Sequence, residues 1–593
     1  MKLVVPHTGE LQAADARLIR LAEFLGIRCE SLRLDKQVQQ CAEFIRKAVP
    51  DQNSCLIVNP EVMREWVDGD VFPADLASCL ASRFPHLLVH GLTWGPFVDG
   101  MIRSLSNGKV QSVQPIADAG QTYEISSNSN DICGPFSGLS FGPINADNDR
   151  VLEVSSGDTT VRKLICIGGC PLMAAVQRDT AEILFLASED TADVNAQVGQ
   201  LPLSDYFSRL MPHAMALRHI FGEGCWHPGE PHASIIIDDP LLRRNYGYLN
   251  FEILLRLMEE YDFHTTIAFI PHNYRRNSAR IIRMFRENPR RLSICFHGND
   301  HTAAELASTD TALLNTMLSI AAERMNMHEQ ATGVHCDKVM VFPQGGFSVE
   351  AMEVLKSRNF HAAVNTVPFP MGQPVPLTIA DLAQPAVLRY GGFPLFIRTY
   401  VKETQRQDIA FNLFFGRPAL IVEHHEIFKH PGPLVGVVQK VNSVAPGISW
   451  SNLEGAVDNS ILKRRTPDGM MQVRAYSSDV RITNHSASIE RFSIAWGQPG
   501  QSSPFEQLLR DGAPFPGVEV DEAGIRVFGE LAPSASQTFS VLYRNPHTTL
   551  GSLGFRWDAK AFLRRRLSEV RDNYLSKNQY VLTAAQTLRR RFL

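Results

Sequence analysis

The sequence predicts an α/β protein with a parallel β/α barrel at its centre, a doubly wound α/β domain before it, and a β-sandwich followed by a helix after it. Three patterns predict this class. Strand-like and helical segments alternate over residues 1 to 110, seven apolar strands alternate with amphipathic helices between 230 and 455, and short alternating runs replace the helices beyond Trp450. At roughly 150 residues per domain, 593 residues allow about four domains, which we expect at 1–205, 206–455, 456–550 and 551–593.

Composition restricts the compartment and the partners. Hydrophobic residues make up 44% and charged residues 20% of the chain, as in globular proteins, and the net charge of -4 argues against a chain that binds nucleic acid along its whole length. The N-terminal apolar run ends after three residues, and no window approaches about 18 consecutive apolar residues, so we expect neither a signal peptide nor a membrane span. Together with ten cysteines dispersed mostly in apolar runs, this predicts a cytoplasmic location.

The first domain is predicted from alternating patterns. Strand-like runs cover Lys2–Pro6, Cys55–Val58 and His86–His90, and helical patterns cover Asp15–Leu25 and Gln37–Ala48. From 110 to 200 the runs become short strands. This layout resembles the glutamine-amidotransferase-like domains found beside other catalytic domains, but no cysteine has a histidine and a glutamate at that family's spacing. The resemblance therefore implies a non-catalytic or ligand-sensing domain.

A Gly/Pro-rich turn cluster at 222–231 precedes the second α/β region. Amphipathic patterns such as Phe251–Glu260 and Ala312–Met325 separate its strands. The seven predicted strands are Ser234–Ile237, Thr265–Ile270, Leu292–Phe296, Val339–Phe342, Ala362–Val364, Leu395–Arg398 and Ala419–Val422. Parallel strands that alternate with helices predict a barrel in which chemistry gathers at the carboxyl ends of the strands.

The C-terminal part reads as a small β-sandwich and a basic helix. Short alternating runs between 471 and 543 are separated by Asn, Gly, Pro and Ser. The stretch Lys560–Leu593 is helical in pattern, and residues 551–593 hold ten Lys/Arg against three Asp/Glu. Such a helix can lie on an acidic membrane surface or on a biosynthetic partner, or it can pack on the barrel with its cations in water. The sequence leaves these alternatives open.

Four of the predicted barrel strands are followed by polar residues that are not expected in a hydrophobic core. Fourteen of the nineteen histidines lie between His213 and His430. The strand ends are followed by Asp238 and Asp239 after the first strand, His297 and His301 after the third, Pro343, Gln344 and Gly345 after the fourth, and His424 and His425 after the seventh. Two imidazoles four residues apart suit a borderline metal such as zinc. Asp300 and Thr302 beside them could orient an imidazole or cap the loop.

In this order the motifs resemble those of the polysaccharide deacetylases of the NodB-homology superfamily (carbohydrate esterase family 4), over roughly residues 232 to 430. The resemblance implies a distorted (β/α)7 barrel. It makes Asp239, His297 and His301 the ligands of a divalent metal, with Zn²⁺ expected. It also makes Asp238 the general base and His425 the general acid, with His424 as the competing alignment, and it makes Pro343, Gln344 and Gly345 substrate-binding residues. Only one of the two adjacent histidines should face the site, because side chains alternate along a strand.

Two positions depart from the family's pattern. Val341 stands where members have an arginine that pairs with the base, and Asp-Asp-Pro stands where they have Asp-Asp-Gly. Arg389 or Arg398, each near a later strand, could supply the missing charge. The departures indicate a divergent member.

The residues themselves favour the same chemistry. One carboxylate and two neutral imidazoles leave coordination positions open, and water bound to such a metal reaches a pKa of about 7. We therefore predict a metal-dependent hydrolase that acts on a carbon–nitrogen bond and removes acetyl groups from an N-acetylated (or O-acetylated) saccharide or saccharide precursor. The first alternative is hydrolysis of a non-sugar amide or a glycosidic bond on the same barrel. The second is a non-catalytic saccharide-binding scaffold.

Overall fold

The computed structural model describes residues 1–34, 54–67, 69–116, 118, 120–155, 157–199, 203–302, 304–497, 504–545 and 553–575. The chain divides into two compact units. The first comprises Met1–His227 with the segments Leu377–Ala383 and Arg464–Asp468, and the second comprises Pro228–Pro376, Gln384–Lys463 and Gly469–Leu593. The finer division of the chain at 205, 455 and 550 stays a prediction.

The first unit is built on a nine-stranded mixed sheet. Its strands are β1 (Lys2–His7), β2 (Cys29–Arg33), β3 (Ser54–Val58), β4 (His86–Val89), β5 (Tyr123–Ile125), β6 (Ser140–Phe141), β7 (Arg162–Ile167), β8 (Cys170–Arg178) and β9 (Ala181–Leu186). The order is β2-β1-β3-β4-β9-β8-β7-β5-β6. Strands β1 to β4 and β9 are parallel, whereas β8, β7, β5 and β6 pair antiparallel.

Helices of the first unit cover the apolar side chains of this sheet. Their bounds are Ala13–Phe24, Pro60–Val67, Ala74–Arg83, Pro96–Leu105, Asn130–Cys133 and Phe207–Phe221. Trp66 and Leu80 from two of the helices share one buried cluster with Val58, Leu87 and Phe185 from the strands. Alternation of strand and helix up to β4 confirms the doubly wound α/β prediction, while the predicted helix Gln37–Ala48 lies outside the described residues.

Seven parallel strands of the second unit close into a barrel. They are β10 (His232–Asp238), β11 (Thr265–Phe269), β12 (Leu292–His297), β13 (Cys336–Val341), β14 (Ala362–Asn365), β15 (Leu395–Tyr400) and β16 (Ala419–Glu423). Each pairs with the next along the chain, and β10 pairs with both β11 and β16, which closes the ring. Almost every residue of these strands is buried, as expected of parallel strands covered on both faces. The predicted α/β barrel is confirmed.

Local sequence signals set the ends of the barrel helices. Their bounds are Phe251–Tyr261, Ala279–Glu287, Thr311–Thr332, Val349–Ser357, Arg406–Phe414, Gly432–Val444 and Leu453–Asp458. The Asn250 side chain caps the first by accepting from two backbone N–H groups, and Asp310 caps the third. The third ends at Gly333, whose φ of 69° continues the chain in the left-handed region.

Two sheets follow the barrel in the second unit. One contains, in spatial order, the strands Met471–Arg474, Glu490–Trp496, Gly524–Leu531 and Val518–Asp521, and the other contains Asp479–Thr483, Ser536–Tyr543, Phe505–Arg510 and Ala513–Pro514. Val473, Ile494 and Val527 of the first sheet share a buried cluster with Val480 and Val541 of the second. This is the predicted sandwich, held by side chains that alternate inward along each strand.

The last described element is a helix over Phe555–Val570, called the C-terminal helix below, which continues into one turn at Arg571–Leu575. It belongs to the second unit. The part of the predicted basic helix beyond residue 575 lies outside the described residues. Within the described ranges, no helix is both long enough and apolar enough to cross a bilayer.

Candidate active site at the carboxyl end of the barrel

The polar residues predicted at the strand ends come together at one end of the barrel. Asp238 is the last residue of β10, His297 is the last residue of β12, and parallel strands bring such carboxyl ends to the same rim. Asp239 and His301, in the segments that follow, have φ values of 80° and 56°. Backbone in this left-handed region is uncommon outside glycine and concentrates at functional sites.

Asp239, His297 and His301 converge on one point. The Asp239 Oδ1 atom lies 3.5 Å from His297 Nε2 and 3.3 Å from His301 Nε2. His297 Nδ1 lies 3.0 Å from the Val341 carbonyl oxygen, which can only accept, so Nδ1 carries a proton and Nε2 is the nitrogen on the side of Asp239. A backbone acceptor of this kind is how proteins orient an imidazole toward a metal.

These three residues fit a divalent metal ion. Their ligand atoms all lie within 4.8 Å of one another, and the buried Asp239 Oδ1 has no hydrogen-bond partner in the described ranges of the chain. Burial lowers the pKa of His301 to about 4, although the Asp239 charge opposes this, so the ring is neutral as a ligand must be. Burial alone would raise the pKa of Asp239, but the two neighbouring imidazoles, His297 first and then His301, outweigh burial and hold that pKa below its ordinary value. One carboxylate with two imidazoles is a donor set that zinc favours.

Glu305, which the sequence did not single out, shapes the loop that carries His301. Its carboxylate accepts from the backbone N–H groups of Asn299 at 2.7 Å and His301 at 3.0 Å, and also from those of Asp300 and Thr302. Gly298 makes this possible, because a Cβ there, at a φ of 63°, would overlap the Glu305 carboxylate. An isolated acid in a loop gives no sequence signal for this role.

Asp300 and Thr302 hold the loop in place, and neither bonds an imidazole of the three metal-ligand candidates. Asp300 is fully buried and accepts from His272 Nδ1 at 3.1 Å, from Trp557 Nε1 at 2.8 Å and from Arg324. The Thr302 hydroxyl donates to Glu305. Thr302 therefore matches the loop-capping role, whereas Asp300 orients the imidazole of His272, which is not one of the three ligand candidates.

Asp238 and Arg398 form a buried bidentate ion pair beside the metal-ligand candidates. Arg398 Nη1 and Nη2 each donate to one Asp238 oxygen at 2.7 Å, and both residues are 3% exposed. Burial alone would raise the pKa of Asp238, but the Arg398 guanidinium outweighs it and holds that pKa below its usual range. Arg398, from β15, thus supplies the charge that Val341 cannot.

The strand register separates the two adjacent histidines. Ile237 of β10 lies opposite Glu423 of β16, so His424 falls opposite Asp238 and has the same side-chain parity. The His424 ring stacks on Tyr400 and lies close enough to Asp238 and Asp239 to interact electrostatically with both carboxylates. His424 is only half-buried and can reach a bound molecule.

His425 points into a different, closed environment. It is 3% exposed and packs edge-on against Tyr246, at 5.5 Å between ring centroids. Gly247, at a φ of 56°, leaves room for the ring, which a Cβ at that position would overlap. His425 Nε2 lies 3.7 Å from Asp572 Oδ1 in the turn after the C-terminal helix. The Tyr246 hydroxyl donates to the same carboxylate at 2.7 Å.

The predicted substrate-binding turn lies at the same end of the barrel. Pro343 is buried, whereas Gln344 is exposed and has a φ of 55°. Gln344 Oε1 accepts from the Ala304 N–H at 3.2 Å, and the Gly345 carbonyl accepts from Asn365 Nδ2 at 2.9 Å. The turn therefore braces the loop after His301 and leaves the Gln344 side chain accessible at the rim.

No protein-family profile and no curated protein sequence matches this chain. Among solved structures it is similar to Agd3, described as a novel carbohydrate deacetylase, at 11% identity and a TM-score of 0.46, over 91% of this chain and 98% of that one. A family 4 carbohydrate esterase from Streptomyces lividans in complex with acetate matches at 10% identity and a TM-score of 0.23, over 37% of this chain and 92% of that one. The catalytic domain of a peptidoglycan N-acetylglucosamine deacetylase from Eubacterium rectale matches at 12% identity and a TM-score of 0.23, over 38% of this chain and 90% of that one.

Proposed function

We propose that this protein is a metal-dependent hydrolase that removes acetyl groups from an N-acetylated or O-acetylated saccharide. The observation that carries the proposal is the convergence of Asp239, His297 and His301 on one point, next to the paired carboxylate of Asp238. Ligand candidates and a separate carboxylate together are what hydrolysis of an amide or ester by activated water requires.

Asp239, His297 and His301 would hold the metal. A divalent cation such as Zn²⁺, when bound there, supplies a Lewis acid for the acyl carbonyl and lowers the pKa of water. Asp238 accepts the proton of the attacking water at a carboxylate oxygen. Arg398 keeps Asp238 ionised, and so able to take a proton, and fixes the plane of its carboxylate through two hydrogen bonds.

We propose His424 as the residue that protonates the departing amine or hydroxyl. Three observations support this assignment: the His424 side chain lies on the same side of the strands as that of Asp238, it interacts electrostatically with Asp238 and Asp239, and it is partly exposed. His425 was the first alignment suggested by the sequence, but its ring lies behind Tyr246 and against Gly247. In this proposal His425 supports the wall of the site. General acid catalysis of this kind is worth on the order of 10² to 10⁴ in rate.

The proposed substrate is a carbohydrate bound across the rim where Gln344 is exposed. The test is release of acetate from N-acetylated glucosamine oligomers and from O-acetylated xylan by the zinc-loaded protein. Hydrolysis of at least one of them, absent from Asp238→Asn, supports the proposal. Cleavage of the oligomer chain without acetate release would instead indicate the glycosidase alternative.

We also propose that the outer face of the C-terminal helix binds an anionic membrane surface. Its exposed apolar side chains are Phe562, Leu563, Leu567 and Val570. Arg556, Lys560 and Arg566 are exposed along the same helix. Apolar side chains flanked by cations are typical of helices that lie in a lipid interface.

A further inference from the structure

The C-terminal helix lies across the catalytic end of the barrel. Trp557 Nε1 donates to Asp300 Oδ2 at 2.8 Å, which ties the first turn of the helix to the loop that carries His301. At the other end, the Gly247 N–H donates to Asn573 Oδ1 at 2.9 Å. Ala561 and Asp572 on the inner side are buried. The helix therefore forms part of the wall of the proposed active site.

Arg565, on the inner side of this helix, is buried and has no ion-pair partner within the described part of the chain. It is 6% exposed, and its buried Nε atom has no hydrogen-bond partner among the residues that the structure describes. Its Nη2 atom has only two long contacts, each 3.5 Å, to the His301 carbonyl oxygen and to Ser568 Oγ. Among the described residues no carboxylate lies within ion-pair distance of it. A buried guanidinium with so few acceptors is costly unless a further anion compensates it.

Three other arginines around the site are paired. Arg398 pairs with Asp238, Arg324 with Asp300 and Arg571 with Asp572. The strongest attraction on Arg565 comes from the Asp239 carboxylate, with which it makes no direct contact. In the proposed function that carboxylate belongs to the metal. With a divalent cation bound, the pocket beside His301 is left with an uncompensated positive charge.

We infer that Arg565 receives a negatively charged group of the substrate, so that the enzyme prefers an acidic saccharide, carrying a carboxylate or a phosphate, over a neutral one. This inference rests on the proposed function and names the substrate class of the same site. A guanidinium matches both anions, because its parallel N–H groups bind two oxygens at once. Arg565 is thus a specificity-determining residue supplied by the last described helix of the chain.

The test measures equilibrium binding in the Asp238→Asn background, where proposed turnover is removed and dissociation constants can be read directly. Three probes are titrated into the zinc-loaded protein by calorimetry: N-acetylglucosamine, N-acetylglucosamine phosphate and N-acetylmuramic acid. At least one anionic probe is expected to bind tenfold or more tighter than the neutral sugar, a difference of about 1.4 kcal/mol. Tighter binding of the phosphate probe indicates a phosphate-bearing substrate, and tighter binding of N-acetylmuramic acid indicates a carboxylate-bearing one.

Arg566→Gln is the matched control, because it removes the same charge from an exposed position on the same helix. Arg565→Gln is expected to abolish the anionic preference, Arg565→Lys to retain part of it, and Arg566→Gln to leave it unchanged. Equal binding of neutral and anionic probes overturns the inference. So does an equal loss of preference in Arg565→Gln and Arg566→Gln, or a folded Arg565→Gln, by circular dichroism, that keeps the preference. Failure of the proposed function is a separate result, namely no acetate release by the native protein from any of the three probes.

Discussion

At the scale of single residues, the proposed chemistry depends on two neighbours with different surroundings. Asp238 is bound by Arg398 through two hydrogen bonds, whereas the Asp239 Oδ1 atom has no donor of its own and faces two imidazoles. The first arrangement holds a carboxylate ionised and oriented, and the second leaves an oxygen free for a cation. Adjacent acids in one sequence motif can thus take different roles.

Substitutions at these positions should separate metal binding from turnover. His297→Ala and His301→Ala are expected to lose bound zinc, because each removes one of three ligands. Asp238→Asn is expected to keep the metal and to lower kcat by about 10² to 10⁴. Zinc content of the purified variants, with exposed His430→Ala as control, checks this. A His301→Ala protein that holds zinc at full occupancy would contradict the ligand assignment.

The two adjacent histidines can be distinguished by leaving group. If His424 donates the proton, His424→Gln should lose about 10² to 10⁴ in kcat on an acetylated amine and far less on nitrophenyl acetate, whose leaving group needs no proton. His425→Gln should affect both substrates alike, because it disturbs packing against Tyr246. The ratio of the two rates for each variant is the readout. If His425→Gln instead lost kcat mainly on the acetylated amine, His425 would be the general acid, as the first alignment suggested.

At the scale of elements, the opposite end of the barrel holds a charged network that joins it to the sandwich. His361, which precedes β14, lies 3.0 Å through Nδ1 from Asp458 Oδ2 and 3.5 Å through Nε2 from Asp479 Oδ2. Burial opposes a charge on His361, but Asp458 and Asp479 outweigh it and raise its pKa to about 10. The protonated ring neutralises acids from a barrel helix and from a sandwich strand, so we expect it to stabilise the second unit.

This network should make stability fall at alkaline pH. Because the pKa of His361 is raised in the folded state, its contribution is fully present below the ordinary value of 6.5 and is lost as pH rises through about 10. The slope is at most about 1.4 kcal/mol per pH unit for one proton. His361→Gln should lower the free energy of unfolding by about 3 to 5 kcal/mol at neutral pH and should reduce its dependence on pH. Urea unfolding of both proteins between neutral pH and pH 10 checks it, and equal slopes would contradict the account.

The outer face of the C-terminal helix predicts salt-dependent lipid binding. The protein should sediment with anionic vesicles at low salt, less so as ionic strength rises, and not with neutral vesicles. Replacing Leu563 and Leu567 together with Gln should weaken the binding, since both are exposed apolar side chains. Exposed Ile489, on a loop of the sandwich, offers a control as Ile489→Gln. Absence of binding at low salt would contradict this proposal.

At the scale of the whole molecule, the features that could be predicted from the sequence are those that follow from the order of the strands along the chain. All seven barrel strands and the approach of Asp239 to His297 follow from apolar runs that end in polar residues, because parallel strands share a carboxyl rim. The sequence could not decide whether Arg389 or Arg398 pairs with Asp238, because Arg398 and Asp238 are 160 positions apart in the sequence. The boundary of the fourth strand also differed, because β13 begins at Cys336 rather than Val339.

Contacts made by the C-terminal helix could not be predicted. Tyr246 and Asp572 are 326 positions apart, and no periodicity links a residue that follows β10 to a turn after a distant helix. The pattern of the helix allowed it to pack on the barrel or to remain free, and only the tertiary structure shows that one of its arginines, Arg565, is buried beside His301. Propensity specifies an element, whereas its docking depends on the surface that it meets.

The central claim is that the Asp239, His297 and His301 cluster supports metal-dependent removal of acetyl groups from a saccharide. The most direct measurement is the rate of acetate release from acetylated saccharides by metal-stripped protein as zinc is added back. We predict that the rate rises in proportion to zinc and saturates at one equivalent per chain. Acetate release that persists without metal, or that appears with no acetylated saccharide at any zinc concentration, would contradict the account.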